Sequence, residues 1–255
     1  MQKLSVLIPS FNSEKTIGST LESVRWADEI LLCDSYSTDK TVQIAKEYGA
    51  RIIQHEYINS ARQKNWAIPQ CQYEWVLIVD TDEIVEEGLK EETRSRLKED
   101  EIAFDAFRIP RKNFLYGKWI RHADLYPDYQ IRLFRKGKAR YHEREVHAHV
   151  VVTGKVGTFE QHLRHNGFKD LSTWLIKVER YTRYERDECL KQNKPFQIVR
   201  HLVGAPLIFC NTFFLKLGFL DGYRGFLLSV LDAFYYFLIG ARLWEMTHSR
   251  DESFS

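Results

Sequence analysis

The residues best suited to chemistry stand in the turn Asp80-Thr-Asp82-Glu83, directly after the apolar run Trp75–Val79. Carboxylates two positions apart at a strand's end converge on one cation when the chain turns there. Oxygen donors of this kind suit Mg²⁺ or Mn²⁺, ions that bridge protein carboxylates to substrate phosphates. Two further polar turns follow apolar runs: Pro9-Ser-Phe-Asn-Ser-Glu14 after Leu4–Ile8, and Asp34-Ser-Tyr-Ser-Thr-Asp39 after Glu29–Cys33. The first of these contains no glycine. That excludes the Gly-rich dinucleotide fingerprint and the P-loop, whose backbones must approach phosphate closely. A nicotinamide or ATP enzyme is disfavoured on the same ground, and any phosphate bound here must be held by side chains or a cation. Taken one at a time, Asn12 and Asp34 are also explained by ordinary turn and capping chemistry.

The elements that position these turns read as alternating strands and helices. Leu4–Ile8, Glu29–Cys33, Arg51–Gln54 and Trp75–Val79 are strand-like. Between them lie a helix capped by Ser13 with Ile17, Leu21 and Val24 inward, a helix Thr41–Tyr48 with Val42 and Ala45 inward and Gly49 as its C-cap, and a helix Ala61–Ala67. This alternation predicts an α/β layer fold with a parallel-dominated mixed sheet flanked by helices. Ligands of such sheets bind at the carboxyl ends of the strands, where the polar turns lie.

The chain has 255 residues and 37 Lys+Arg against 35 Asp+Glu, a balance of +2 that argues against a nucleic-acid partner. The balance conceals a separation. Asp80–Glu101 holds ten acids against four bases, and Asp105–Arg144 eleven bases against four acids. The acidic block includes a helix, Glu86–Lys98, with a largely solvated charged face. The basic block, with strand-like runs Phe104–Ile109 and Gln130–Phe134, either lines a groove for an anionic ligand or is an exposed basic surface. Cys33, Cys71, Cys189 and Cys210 form no CxxC pair and read as core thiols. The start, MQKLSVLIPS, lacks the apolar core of a signal peptide, so the expected compartment is the cytoplasm.

Asp170–Gln192 has the spacing of an amphipathic helix through Leu171, Trp174, Leu175, Val178 and Tyr181. Leu202–Leu215 carries no charge, and Gly225–Ala241 carries only Asp232. Both runs fall short of the roughly 20 apolar residues of a spanning helix. Lys216, Arg224 and Arg242 flank them, as in segments lying in a membrane interface. The alternative is a buried helical hairpin, covering the sheet or joining two copies as a homodimer.

Four blocks, Ile8-Pro-Ser-Phe-Asn-Ser-Glu14, Asp34-Ser-Tyr-Ser-Thr-Asp39, Ala61-Arg-Gln-Lys-Asn65 and Val79-Asp-Thr-Asp82, together resemble family 2 glycosyltransferases in order and spacing. Later segments resemble the branch containing lipopolysaccharide core β-1,4-glucosyltransferases. These are Tyr126–Arg135, Tyr141-His-Glu143, His165, Lys177–Tyr181 and Lys216-Leu-Gly-Phe-Leu-Asp-Gly222. The resemblance implies the GT-A nucleotide-diphosphosugar transferase fold over residues 1–168 and a helical, membrane-interfacial region over 169–255. It implies a UDP-sugar donor, inversion at the anomeric carbon, a lipid-linked oligosaccharide acceptor, a divalent metal, and a place on the cytoplasmic face of the inner membrane.

Carried over position by position, Pro9, Asn12 and Glu14 border the nucleotide. Asp34 bonds the uracil, Arg62 lies near the base or diphosphate, and Asp80 faces the ribose or donor sugar. Asp82 is the foremost metal ligand, with Asp80 and His165 as further ligands; His165 is equally a structural histidine. Where the family often has glycine after the asparagine, this chain has Trp66. The acceptor hydroxyl needs a carboxylate base, and the resemblance places it at Glu143, Asp128 or Glu145, in that order. The alternatives are a family 2 transferase with another lipid-linked or protein acceptor, and a catalytically silent, membrane-associated sugar-nucleotide-binding protein.

Overall fold

The computed structural model describes residues 2–99, 101–142, 149–168, 170–192 and 198–248. The chain packs as two compact units. One comprises residues 1–112 and 127–167, the other residues 113–126 and 168–255. The sequence reading places one boundary near 168; the packing in addition gives the excursion 113–126 to the C-terminal unit.

The first unit opens with β1 (Leu4–Ser10), α1 (Ile17–Val24), β2 (Glu29–Asp34), α2 (Thr41–Glu47), β3 (Arg51–Gln54), α3 (Ser60–Ala67) and β4 (Trp75–Ile78). There follow β5 (Glu83–Val85), α4 (Glu87–Lys98) and β6 (Ala106–Leu115), whose last residues pair with the short β7 (Lys118–Trp119). The chain then returns as β8 (Asp128–Arg135), β9 (Ala139–Tyr141), β10 (Val150–Val152), β11 (Val156–Thr158) and β12 (Leu163–Phe168).

The main sheet runs β3-β2-β1-β4-β8-β6-β12-β5. Its first four strands are parallel, while β8 pairs antiparallel with both β4 and β6, so the sheet is mixed as expected. β1 and β2 are continuous apolar runs because both of their faces are covered. Val6 and Ile8 pack with Ile17, Leu21 and Val24 of α1, whereas Leu7 packs with Leu31 and with Ala61 and Ala67 of α3. This period-2 alternation fixes the register, which a one-residue slip would invert.

Local chemistry differs from expectation in two places. Ser13 does not cap α1. Thr16 occupies the N-cap without a side-chain capping bond, while the Ser13 hydroxyl donates to the Phe11 carbonyl at 3.1 Å. The Ser13 carbonyl accepts from the Thr16 and Ile17 amides, forming the turn that leads into the helix at Ile17. In α2, Thr41 and Ala45 are buried and Val42 only half-buried. Gly49 ends that helix at φ 75°, a conformation glycine adopts without penalty.

The second unit contains α5 (Leu171–Lys191), α6 (Ile198–Cys210) and α7 (Tyr223–His248). Asp170 caps α5 by accepting from the Thr173 amide at 2.7 Å. Both α5 and α6 pack on α7. Arg242 of α7 turns inward, donating to Thr182 at 2.9 Å, so the helix continues past it. By length and composition Tyr223–Met246 is able to cross a bilayer, a longer segment than the Gly225–Ala241 run read from the sequence.

Candidate active site

Two groups of polar side chains lie at the carboxyl ends of the parallel strands. The first joins the turns after β1 and β2. Asn12 accepts the Thr38 amide at 2.8 Å, and Glu14 accepts the Lys40 amide at 3.2 Å. In return Ser37 and Asp39 accept the Asn12 and Glu14 amides at 2.9 and 3.0 Å. Asp34, wholly buried at the end of β2, accepts from the hydroxyls of Ser10 and Ser37, the Ser37 amide and the Gln54 amide. Pro9 is half-buried beside it. Asn12 and Tyr36 adopt positive φ of 45° and 58°, so these turns hold conformations that cost side-chain-bearing residues energy.

The second group surrounds the end of β4. The Asp80 carboxylate takes Lys64 Nζ at 2.9 Å on one oxygen and Arg132 Nη2 at 2.7 Å on the other. Glu83, fully buried, accepts Arg132, accepts Arg111 at 3.3 Å, and accepts the Asp80 amide at 2.9 Å. Burial pushes the Asp80 carboxyl upward, but Arg132 and Lys64 outweigh it and hold it well below the usual carboxylate range. Lys64 moves the opposite way: burial favours its neutral form, and Asp80 overrides that and keeps its pKa raised. Lys64 is buried and Asp80 half-buried, so loss of the aspartate would leave a buried ammonium with one fewer partner.

Asp82 is held differently. Among the described residues it has no lysine or arginine partner, and its neighbour is His165 Nε2 at 3.8 Å. β12 brings His165 there through its register with Glu83 on β5. Burial, the largest influence, lowers the His165 pKa and favours the neutral imidazole. A carboxylate beside a neutral imidazole is a donor pair that suits a divalent cation, since a ligating histidine must be unprotonated. Among the described residues no set of three or more His, Cys, Asp or Glu is arranged to hold a metal. An ion here would thus take its other donors from substrate phosphate and water, the usual arrangement for Mg²⁺.

The other expected residues divide. Asp128 opens β8 and is clasped by Arg111 through Nε at 2.9 Å and Nη2 at 2.6 Å. Arg62 lies on the exposed face of α3, whose start is capped by Asn59. Trp66 packs on His55 with ring centroids 4.2 Å apart. Asn65, in place of any close backbone approach, grips Tyr141 of β9 by donating to its carbonyl and accepting its amide, both at 2.8 Å. Glu143 and Glu145 fall outside the described residues.

Lys64, Arg111 and Arg132 are not marked by the sequence, and Glu83 only as the last residue of the carboxylate turn. Lys64 stood inside a quoted block and Arg132 inside an Arg-Leu-Phe-Arg strand, but their carboxylate partners are 16 and 52 positions away. Pairing at that range has no local signal.

The glycosyl transferase family 2 model matches residues 5–167, more than half of the chain, and spans both groups of side chains. The chain belongs to glycosyl transferase family 2. Across 95% of its length it is 27% identical to the lipopolysaccharide core biosynthesis glycosyltransferase LpsC of Rhizobium meliloti, covering 92% of that protein. It is also 27% identical to an uncharacterized glycosyltransferase of Rickettsia typhi, over 97% of this chain and 88% of that one. The crystal structure of residues 1–349 of Staphylococcus aureus TarS with UDP-GlcNAc superposes with a TM-score of 0.51 at 18% identity, covering 92% of this chain and 81% of that one. That likeness shows the GT-A fold. The protein is therefore a family 2 glycosyltransferase with an apolar C-terminal helix.

Proposed function

We propose that this family 2 enzyme transfers glucose from UDP-glucose, with inversion, to a heptose of the lipopolysaccharide inner core, assisted by Mg²⁺ or Mn²⁺. The near full-length similarity to a lipopolysaccharide core transferase supports the acceptor class. The observation that carries the metal reading is Asp82, the one carboxylate of its turn not engaged by a lysine or arginine among the described residues.

In this reading the turns after β1 and β2 receive the nucleotide, with Asp34 toward the uracil, Pro9, Asn12 and Glu14 at its border and Arg62 near the base or diphosphate. Asp80, its charge fixed by Lys64 and Arg132, orients the ribose or donor sugar. Asp82 and His165 hold the cation. A bound divalent ion supplies positive charge against the negative charge growing on the departing diphosphate. The acceptor hydroxyl attacks the anomeric carbon from the opposite face and gives its proton to a carboxylate, in the manner of inverting glycoside chemistry. We assign that base to Glu143 first, then Asp128 and Glu145. Asp128 can serve only after yielding Arg111, which fits it less well for the task. Residues 1–168 form the transferase domain in this reading. Residues 169–255 hold the enzyme peripherally at the cytoplasmic face of the membrane that carries the lipid-linked acceptor.

The test is a transfer assay with a panel of sugar nucleotides and inner-core acceptors, with and without chelator. UDP-glucose and a heptose-terminated core should support chelator-sensitive transfer. A different preferred donor, or turnover unaffected by chelation, would refute the corresponding part.

A further inference from the structure

The excursion 113–126 comprises the end of β6, the β7 ribbon paired with it and the loop that returns to β8 at Asp128, and the transfer chemistry just described leaves it unused. The motif Lys216-Leu-Gly-Phe-Leu-Asp-Gly222 is likewise unabsorbed. Within the second unit the two are one device. Asp221, nearly buried, accepts the Arg121 amide at 3.2 Å, the His122 amide at 2.9 Å and faces His122 Nδ1 at 3.3 Å. Lys216 donates to Asp124, and its carbonyl accepts the Ala123 amide at 2.8 Å. Arg224 donates to the Leu115 and Tyr116 carbonyls at 3.0 and 3.2 Å. A side chain at Gly225 would meet the Gly218 carbonyl oxygen at 1.8 Å, so the motif folds back on itself as only glycine allows.

The backbone held by this clasp is costly. Of the six non-glycine residues with positive φ among the described residues, two are at the nucleotide turns and four are here: Tyr116, Ala123, Asp124 and Leu217. Strain of this kind persists where surrounding structure over-determines it, and it concentrates at ligand-binding positions. What the strained loop presents is Arg121. Its guanidinium lies 4.5 Å over the Trp119 ring, which in turn meets Tyr126 edge-on at 5.0 Å. The Arg121 residue is exposed, and among the described residues its guanidinium has no carboxylate partner, in contrast to Arg111, Arg132 and Arg135. An exposed guanidinium held over an indole, with no carboxylate partner among the described residues, is available for two-point binding of a carboxylate or phosphate.

We infer that the loop 113–126 is an acceptor-recognition element that binds an acidic saccharide through Arg121 stacked on Trp119, and that the Lys216–Gly225 motif is the clasp that holds it in shape. The inference rests on the transferase reading for the identity of its saccharide, and it narrows the basic stretch of the sequence to one arginine.

The experiment measures direct binding of inner-core oligosaccharide to the full chain by calorimetry, alongside transfer kinetics. The probes are the native acidic oligosaccharide, its dephosphorylated form, which retains the carboxylates, and a neutral oligosaccharide. Wild type should prefer an acidic form over the neutral one on the order of 10-fold, the size of a lost charged hydrogen bond. The dephosphorylated arm assigns that preference to carboxylate or to phosphate. Arg121→Ala should abolish the preference and raise acceptor KM by about the same factor with kcat and donor KM nearly unchanged. Arg121→Lys should restore part of it. Asp221→Asn, checked for folding by circular dichroism, should lose the preference while leaving metal-dependent UDP-sugar hydrolysis intact. Equal binding of acidic and neutral oligosaccharides by wild type overturns the inference, as does an Arg121→Ala enzyme that keeps the preference. So does an Arg121→Ala defect seen only toward anionic lipid vesicles, run as a fourth probe, with saccharide binding unchanged. Acidic-saccharide binding that depends on Arg121 without any transfer to core acceptors would instead refute the function proposed above and leave the loop's role standing.

Discussion

The ends of β2 and β4 each place an aspartate behind an apolar strand, and the protein holds the two in opposite ways. Asp34 sits in a cage of neutral donors: two hydroxyls, one backbone amide and one side-chain amide. Asp80 sits between two cations that also serve Glu83 and Tyr141. A neutral cage supplies hydrogen bonds without an opposing cation. The ionic cage cancels charge, so Asp80, Glu83, Lys64 and Arg132 sum to zero. That leaves Asp82 as the turn's carboxylate without a lysine or arginine partner among the described residues, the contrast on which the proposed cation position rests.

The largest way to break the contrast is Arg132→Met. It leaves Glu83, which has no solvent exposure, with only the longer ion pair to Arg111, and removes one of two cations from Asp80. Urea unfolding should show a loss of about 3–5 kcal/mol, the cost of breaking a buried ion pair. Asp82→Asn should do the reverse. Stability stays within about 0.5 kcal/mol, while transfer drops on the order of 100-fold or more, as for other lost electrostatic groups at a reacting centre. A variant with normal turnover would remove Asp82 from the site. Asp34→Asn turns one acceptor oxygen into a donor facing other donors. It should cost about 1–3 kcal/mol and raise donor KM, read from denaturation and initial rates on the same preparation.

The smallest effect is in acid. Asp80 has a depressed native pKa, so its contribution is complete above the unfolded value of about 4 and disappears as pH falls through the native value. Asp80→Asn should therefore be less stable than wild type by a constant amount from pH 5 to about 4, with the gap closing below that. A gap that widens in acid would show the ionic cage to be misassigned.

The sequence made the strands and the strand-end turns legible because their signals are local: apolar runs, turn residues and a glycine at a helix end. The mixed sheet followed from the same runs, and the blocks shared with family 2 located Asp34, Asp80 and Asp82. What stayed hidden depends on distance along the chain. Lys64 and Arg132 look like ordinary surface charges until β8 is laid beside β4 and α3 above them. Ser13 had the right residue type for a cap but spent its hydroxyl on Phe11. Arg121 was one base among eleven in its stretch, and its clasp lies about 100 residues downstream.

Helix α3 has a mechanical consequence of its own. Three successive residues leave it in three directions: Gln63 to the Cys33 carbonyl and Ser35 at the end of β2, Lys64 to Asp80 after β4, and Asn65 to the backbone of Tyr141 on β9. Consecutive helical positions are about 100° apart, so these three connections behave as spokes on one axle. A small rotation of that axle cannot move one without the others. Whatever displaces the carboxyl end of β2 is therefore transmitted in the same motion to Asp80 after β4 and to β9.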